Sequence, residues 1–169
     1  MTAGLSLLWV IVINSLAWFV IHMGISYLSN RLPLSLFESD GWLYRGRKWE
    51  AGGDFYRRFL RIRSWKEMLP DGASVFRCGF RKKRIQQATV CYYERFIKET
   101  RRSELCHWIC LMLSGAFFLW NPWYMAIYMP AYAVLVNMPC VITQRYNRMR
   151  FQHHVHRRRQ SEADPRPKG

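Results

Sequence analysis

Hydrophobic and charged positions alternate along this chain in long blocks. LSLLWVIVINSLAWFVIHMGISYL (5–28), LCHWICLMLSGAFFLW (105–120) and PWYMAIYMPAYAVLVNMPCVI (122–142) contain no Lys, Arg, Asp or Glu. As a helix the first block would be about 36 Å long at about 1.5 Å per residue, enough to cross a hydrocarbon core of about 30 Å. Asn121-Pro122 is a turn signal, so the second and third blocks read as a tight helical hairpin whose first arm is the shortest span. The pattern predicts an all-α integral membrane protein with about three transmembrane helices. Residues 1–30 form an N-terminal transmembrane helix and 31–104 a basic cytoplasmic membrane-surface segment running into the second span. Residues 105–143 form the transmembrane hairpin and 144–169 a basic cytoplasmic tail. No internal repeat is visible.

The segment between the first span and the hairpin is too polar for another span and too aromatic for a disordered linker. In DFYRRFLRIRSW (54–65) the residues Phe55, Tyr56, Phe59, Leu60, Ile62 and Trp65 recur near helical spacing, with arginines between them. This predicts an interfacial amphipathic helix, aromatic side toward acyl chains and arginines toward anionic headgroups; packing on a protein core is the alternative. LPDG (69–72) is a turn by composition. QQATVCYYERFIKETRRSE (86–104) lacks Gly and Pro and predicts a helix continuous with the second span. RRRQSEADPRPKG (157–169) reads as a disordered basic end.

Charge placement orients these elements. The 169-residue chain has a formal charge of +15 with 50% hydrophobic residues, which excludes an ordinary soluble domain. Residues 31–102 hold 18 of the 26 Lys and Arg and 145–168 hold the other 8. Three spans put them all on one side, so the positive-inside rule makes this a multi-pass cell-membrane protein with its N-terminus outside and its polar bulk cytoplasmic. The first block lacks a basic lead and a clear small-x-small cleavage site, which favours an uncleaved anchor over a secretory signal. Five cysteines without C-x-x-C or Cys/His spacing suggest no metal site. Arg81, Lys82, Lys83 and Arg84 form a basic run suited to phosphates, either of an acyl donor or of anionic lipid headgroups.

Chemistry concentrates where charge meets the second span. In ETRRSELCHW (99–108), Glu104 and His107 are three residues apart on one helical face, with Glu99 and Arg101 on the turns before them. Glu104 can hold the imidazole in one tautomer and His107 can then take a proton. Counting about 14 residues either side of the turn at 121–122 sets His107 level with Asn137, and Glu99 near Gln144. Asn137, Gln144, Arg145, Asn147 and Arg148 thereby gather near the cytoplasmic edge. Polar groups at membrane depth mark function by default, and Pro130 and Pro139 free backbone carbonyls as around cavities. A structural polar clamp locking the hairpin explains the same cluster equally well. Asn14 and His22 in the first span suit interhelical packing. His153, His154 and His156 read as a solvated tail.

Taken together, ETRRSELCHW and, about 30 residues on, NMPCVITQRYNRMR (137–150) resemble the glycosyl-4,4'-diaponeurosporenoate acyltransferase (CrtO-like) family. The resemblance runs from about Asn30, through FYRRFLRIRSWKEMLPDG, to Arg150, with Met149 standing where the family pattern has a proline. It implies an enzyme that transfers a fatty acyl group to a sugar hydroxyl of a glycosylated carotenoid acid, the terminal step of staphyloxanthin-type synthesis. It implies an acyl-coenzyme A or acyl carrier protein as co-substrate and no bound cofactor or metal. Partners are then a bilayer with an anionic inner leaflet, the glycolipid acceptor and the donor, and no nucleic acid. On this reading His107 deprotonates the sugar hydroxyl, Glu104 orients it, and Asn137 or Arg145 stabilises the oxyanion. Other acyltransferase signatures are missing, since no acid follows His107 by five residues and HHVHRRR lacks an acidic-glycine ending. The rivals are acyl transfer to another glycolipid acceptor and a non-catalytic lipid-binding or scaffolding membrane protein.

Overall fold

The computed structural model describes residues 6–69 and 89–163. The basic run Arg81–Arg84 and most of the LPDG turn lie outside the described residues. Among them every regular element is helical: α1 Leu7–Arg31, α2 Asp54–Arg58, α3 Ile62–Trp65, α4 Val90–Leu113, α5 Trp123–Ala126 and α6 Tyr128–Ala163, with short 3-10 turns between. The chain divides into two compact units, one of residues 1–32 and 103–141, the other of 33–102 and 142–169.

The first unit holds α1. This helix stops at Arg31 because Pro33 disfavours helical geometry at the residue before it. Trp18 stacks on Phe117 at 4.7 Å and packs with Ala133 in a small core. Most other apolar side chains of α1, among them Leu8, Leu16, Phe19 and Val20, point outward. The helix at 7–31 and the helical stretch at 123–163 are long and apolar enough to cross a membrane. The 105–120 block is not a third such helix. It is split between the end of α4 and a 3-10 turn over Ser114–Leu119. Ser114 Oγ donates back to the Leu111 carbonyl at 2.6 Å, and a hydroxyl bonded to its own preceding turn competes with continued helix. Pro130 sits in the first turn of α6, where a missing N–H costs nothing. Asn14 and Asn121 exchange amide hydrogen bonds of 3.1 and 2.9 Å, and Trp120 Nε1 adds a third to Asn14 Oδ1 at 2.9 Å.

The second unit is built on Tyr56, Ile62, Tyr146 and Met149, with Phe55, Trp65 and Ile142 packed around them. Beside it Phe96 meets Phe151 at 4.2 Å between ring centroids. DFYRRFLRIRSW is therefore not one interfacial helix. It breaks at Arg61, which takes φ 46°, and the break turns both Tyr56 and Ile62 into the core while leaving Phe59 exposed. Helix α6 also continues to Ala163 through residues read from sequence as a disordered end, with Arg159 pairing to Glu94 and Gln160 bonding His156.

Candidate functional site

In the first unit, the polar residues of α4 and α6 meet at His107. Asn137 is fully buried, and its Nδ2 donates to the Ala133 carbonyl one turn back at 2.9 Å. That bond fixes the amide so that Oδ1 faces His107 Nδ1, also at 2.9 Å. An amide oxygen only accepts, so Nδ1 carries a proton and donates to it. Asn137 is thus a partner of the imidazole at Nδ1. Glu104 is itself fully buried and accepts from Trp108 Nε1 at 3.3 Å. His107 is half-buried.

Within the second unit, three arginines grip the main chain of the segment preceding α2. Arg101 donates to the carbonyls of Phe37 and Glu38 at 2.6 and 3.0 Å, and to Asp40 at 2.5 Å. Arg145 donates to the carbonyls of Leu43 and Arg45 at 2.9 and 3.1 Å. Arg148, nearly fully buried, donates to the Tyr44 carbonyl at 2.9 Å. The second motif thereby directs its guanidinium groups at part-buried backbone carbonyls. Glu99 pairs with Arg102 at 2.7 Å. Gln144 and Asn147 are half-buried on α6.

One acid at the centre of this grip carried no sequence signal. Glu50, fully buried, accepts from Arg145 Nε and Nη2 at 2.7 and 3.0 Å, and from the Arg47 N–H and the Tyr56 hydroxyl. Burial pushes its carboxyl up, but the hydrogen bonds from Arg145, Arg47 and Tyr56 together with the Arg145 charge outweigh it and hold it below the usual carboxylate range. The Tyr56 hydroxyl is pushed up, first by burial and then by donating to Glu50. Gly46, Gly52 and Gly53 surround Glu50 in RGRKWEAGGDF without helical or strand periodicity; only the local wealth of basic residues hinted that an acid there would be paired. Among the described residues no group of three His, Cys, Asp or Glu is arranged to hold a metal ion.

The geometry is thus an imidazole held at Nδ1 on one unit and an arginine-strapped loop on the other, a combination that can be set against known proteins. The family model for glycosyl-4,4'-diaponeurosporenoate acyltransferase matches residues 40–157, which include Arg101, Arg145, Arg148, Glu50, His107 and Asn137. A glycosyl-4,4'-diaponeurosporenoate acyltransferase of Staphylococcus haemolyticus is 30% identical over 142 residues, covering 84% of this chain and 82% of its own length. Proteins of the same name from Staphylococcus aureus strains MRSA252 and bovine RF122 are each 29% identical over 137 residues, covering 81% of this chain and 82% of theirs. No solved structure matches. With the match spanning most of the chain and both motifs, the protein belongs to the glycosyl-4,4'-diaponeurosporenoate acyltransferase family, a family of acyl-transferring enzymes.

Proposed function

We propose that this chain is a multi-pass membrane enzyme that moves a fatty acyl group from a thioester donor to a sugar hydroxyl of a glycosylated carotenoid acid. The observation that carries the chemistry is the His107–Asn137 pair. With Nδ1 committed to the Asn137 oxygen, Nε2 is the one basic nitrogen, and a base with a fixed lone pair is what a hydroxyl nucleophile needs. The hydroxyl oxygen attacks the thioester carbonyl as His107 Nε2 takes its proton. The tetrahedral adduct collapses, the C–S bond breaks as the ester C–O bond stays, and the proton passes to the departing thiolate. Asn137 acts as the positioning residue in this scheme. Arg145, engaged with Glu50 and two carbonyls, supports the loop rather than the oxyanion.

Three crossings, the middle one short and made by the end of α4 with the Ser114–Leu119 turn, with the N-terminus outside and the basic segments facing the cytoplasm, suit a lipid-soluble acceptor. The arrangement draws on the two long apolar helices and on the one-sided placement of Lys and Arg. The sugar of a membrane-embedded carotenoid glycoside would then present its hydroxyl at the level where α4 changes from charged to apolar.

The test is expression in cells that make the glycosylated acceptor, with the acylated product read by mass spectrometry. His107→Ala abolishes product while membrane insertion and thermal unfolding stay unchanged; full turnover in that variant overturns the assignment. Asn137→Leu lowers kcat with little change in KM, by about 10²-fold, the lower end of what a general base contributes. A fall confined to KM would instead make Asn137 a binding residue.

A further inference from the structure

The second unit contains a cavity of about 560 Å³ that the acyl-transfer scheme does not use. One wall is the loop from Gly46 to Gly52 and the other is the face of α6 carrying Met149, Gln152, His153 and His156. Arg47 and Lys48 supply positive charge from the loop, and His153 and His156 line the opposite wall from the helix. Among the described residues no carboxylate lines the cavity. Glu50 and Asp40, which touch its walls, are neutralised by Arg145 and Arg101. Gln152 donates to Asp40 at 2.9 Å, which holds that wall in place. Among the described residues Lys48 has no ion-pair partner.

The loop wall is built at a conformational cost. Ala51 and Gly52 take φ of 46° and 63°, and Ala51 is one of two non-glycine residues with positive φ among the described residues. Left-handed alanine gains nothing from its side chain, and backbone strain of this kind gathers at ligand sites. The strained turn is held by Glu50, whose bonds to Arg145 and to the Arg47 N–H fix the loop's beginning against α6. Arg47 is further held by donating to the Trp42 carbonyl at 3.0 Å, with its guanidinium over the Trp42 ring.

From this geometry we infer that the cavity between the Arg47–Gly52 loop and the Gln152–His156 turn of α6 binds an organic phosphate. Positive charge without a lining carboxylate selects an anion, and a guanidinium beside imidazole N–H donors matches phosphate oxygens. The volume admits a group of nucleotide size, far larger than inorganic phosphate. Two bearers share this chemistry, the nucleotide end of coenzyme A and a phospholipid headgroup. Only the assignment to the donor rests on the acyl-transfer reading.

The full chain in zwitterionic phosphatidylcholine nanodiscs, titrated with coenzyme A and with dephospho-coenzyme A, tests this directly. The expected result is saturable, salt-sensitive binding of coenzyme A that Lys48→Glu and His153→Glu each weaken by about tenfold or more. Both positions are exposed, so the variants should unfold at the wild-type temperature. Coenzyme A that fails to bind, with anionic phosphatidylglycerol retained in a Lys48- and His153-dependent way, assigns the same site to a headgroup. Neither ligand distinguishing wild type from the two variants overturns the inference, even if acyl transfer proceeds. Conversely, His107→Ala should bind coenzyme A normally while losing turnover; normal binding with retained turnover refutes the proposed base and leaves the phosphate site standing.

Discussion

Replacing Glu50 by Ala is the sharpest perturbation the second unit offers. The substitution removes the acceptor of two Arg145 donors, of the Arg47 N–H and of the Tyr56 hydroxyl together, all within a site with no solvent exposure at Glu50. It leaves the nearly buried Arg145 guanidinium without its counter-charge. Breaking a buried ion pair from one side costs about 3–5 kcal/mol. For a chain of this size that corresponds to a fall in unfolding temperature of about 6–20 °C. Circular dichroism of the detergent-solubilised protein reads it. Pairing Glu50→Ala with Arg145→Met should recover much of the loss, because the stranded charge goes with its partner. Additive losses in the double variant, or a single-variant shift under about 2 °C, would refute the account of Glu50 as the keystone of the loop. The same residue gives a pH signature. Its folded pKa lies below the unfolded value, so the stabilisation is complete above the unfolded value, near 4.5, and is lost as pH falls through the folded one. Glu50→Gln should accordingly lose less stability between neutral and acidic pH than the wild type.

Two further outcomes follow from local geometry. Asn14→Leu and Asn121→Leu should each destabilise the first unit by about 0.6–2 kcal/mol, with a positive coupling energy in the double-mutant cycle because each amide serves the other; independent effects would dissolve the pair. Gly53→Ala should cost about 1–2 kcal/mol in thermal or denaturant unfolding, since Gly53 takes φ 102° and a Cβ there would meet the Tyr146 ring at 3.3 Å; a neutral substitution would show that the loop relocates freely.

Long-period features were legible in the sequence, and features that depend on one distant partner were not. The helical class and the two apolar helices follow from block hydropathy, which needs no knowledge of neighbours. Counting outward from Asn121-Pro122 set His107 level with Asn137, and their side chains lie 2.9 Å apart, because a short hairpin turn ties sequence distance to height. Counting cannot give the Ala133 bond that decides which end of the Asn137 amide faces the histidine, so the Asn137 contribution to the tautomer was not legible. The 54–65 stretch has helical periodicity, yet Arg61 breaks it, since burying both Tyr56 and Ile62 overrides the local preference. Glu50 stayed invisible because its meaning comes from Arg145, 95 positions away.

Besides the carboxylates of Asp40 and Glu50, the three arginines that strap the loop address carbonyl oxygens of Phe37, Glu38, Leu43, Tyr44 and Arg45. Every residue type offers that same oxygen. Asp40 and Glu50 apart, the loop can therefore change its side chains while keeping its path, provided that its backbone is not diverted and the guanidinium groups stay. Fold and surface chemistry are decoupled along this segment, so the face it presents can be rewritten without rebuilding the scaffold beneath.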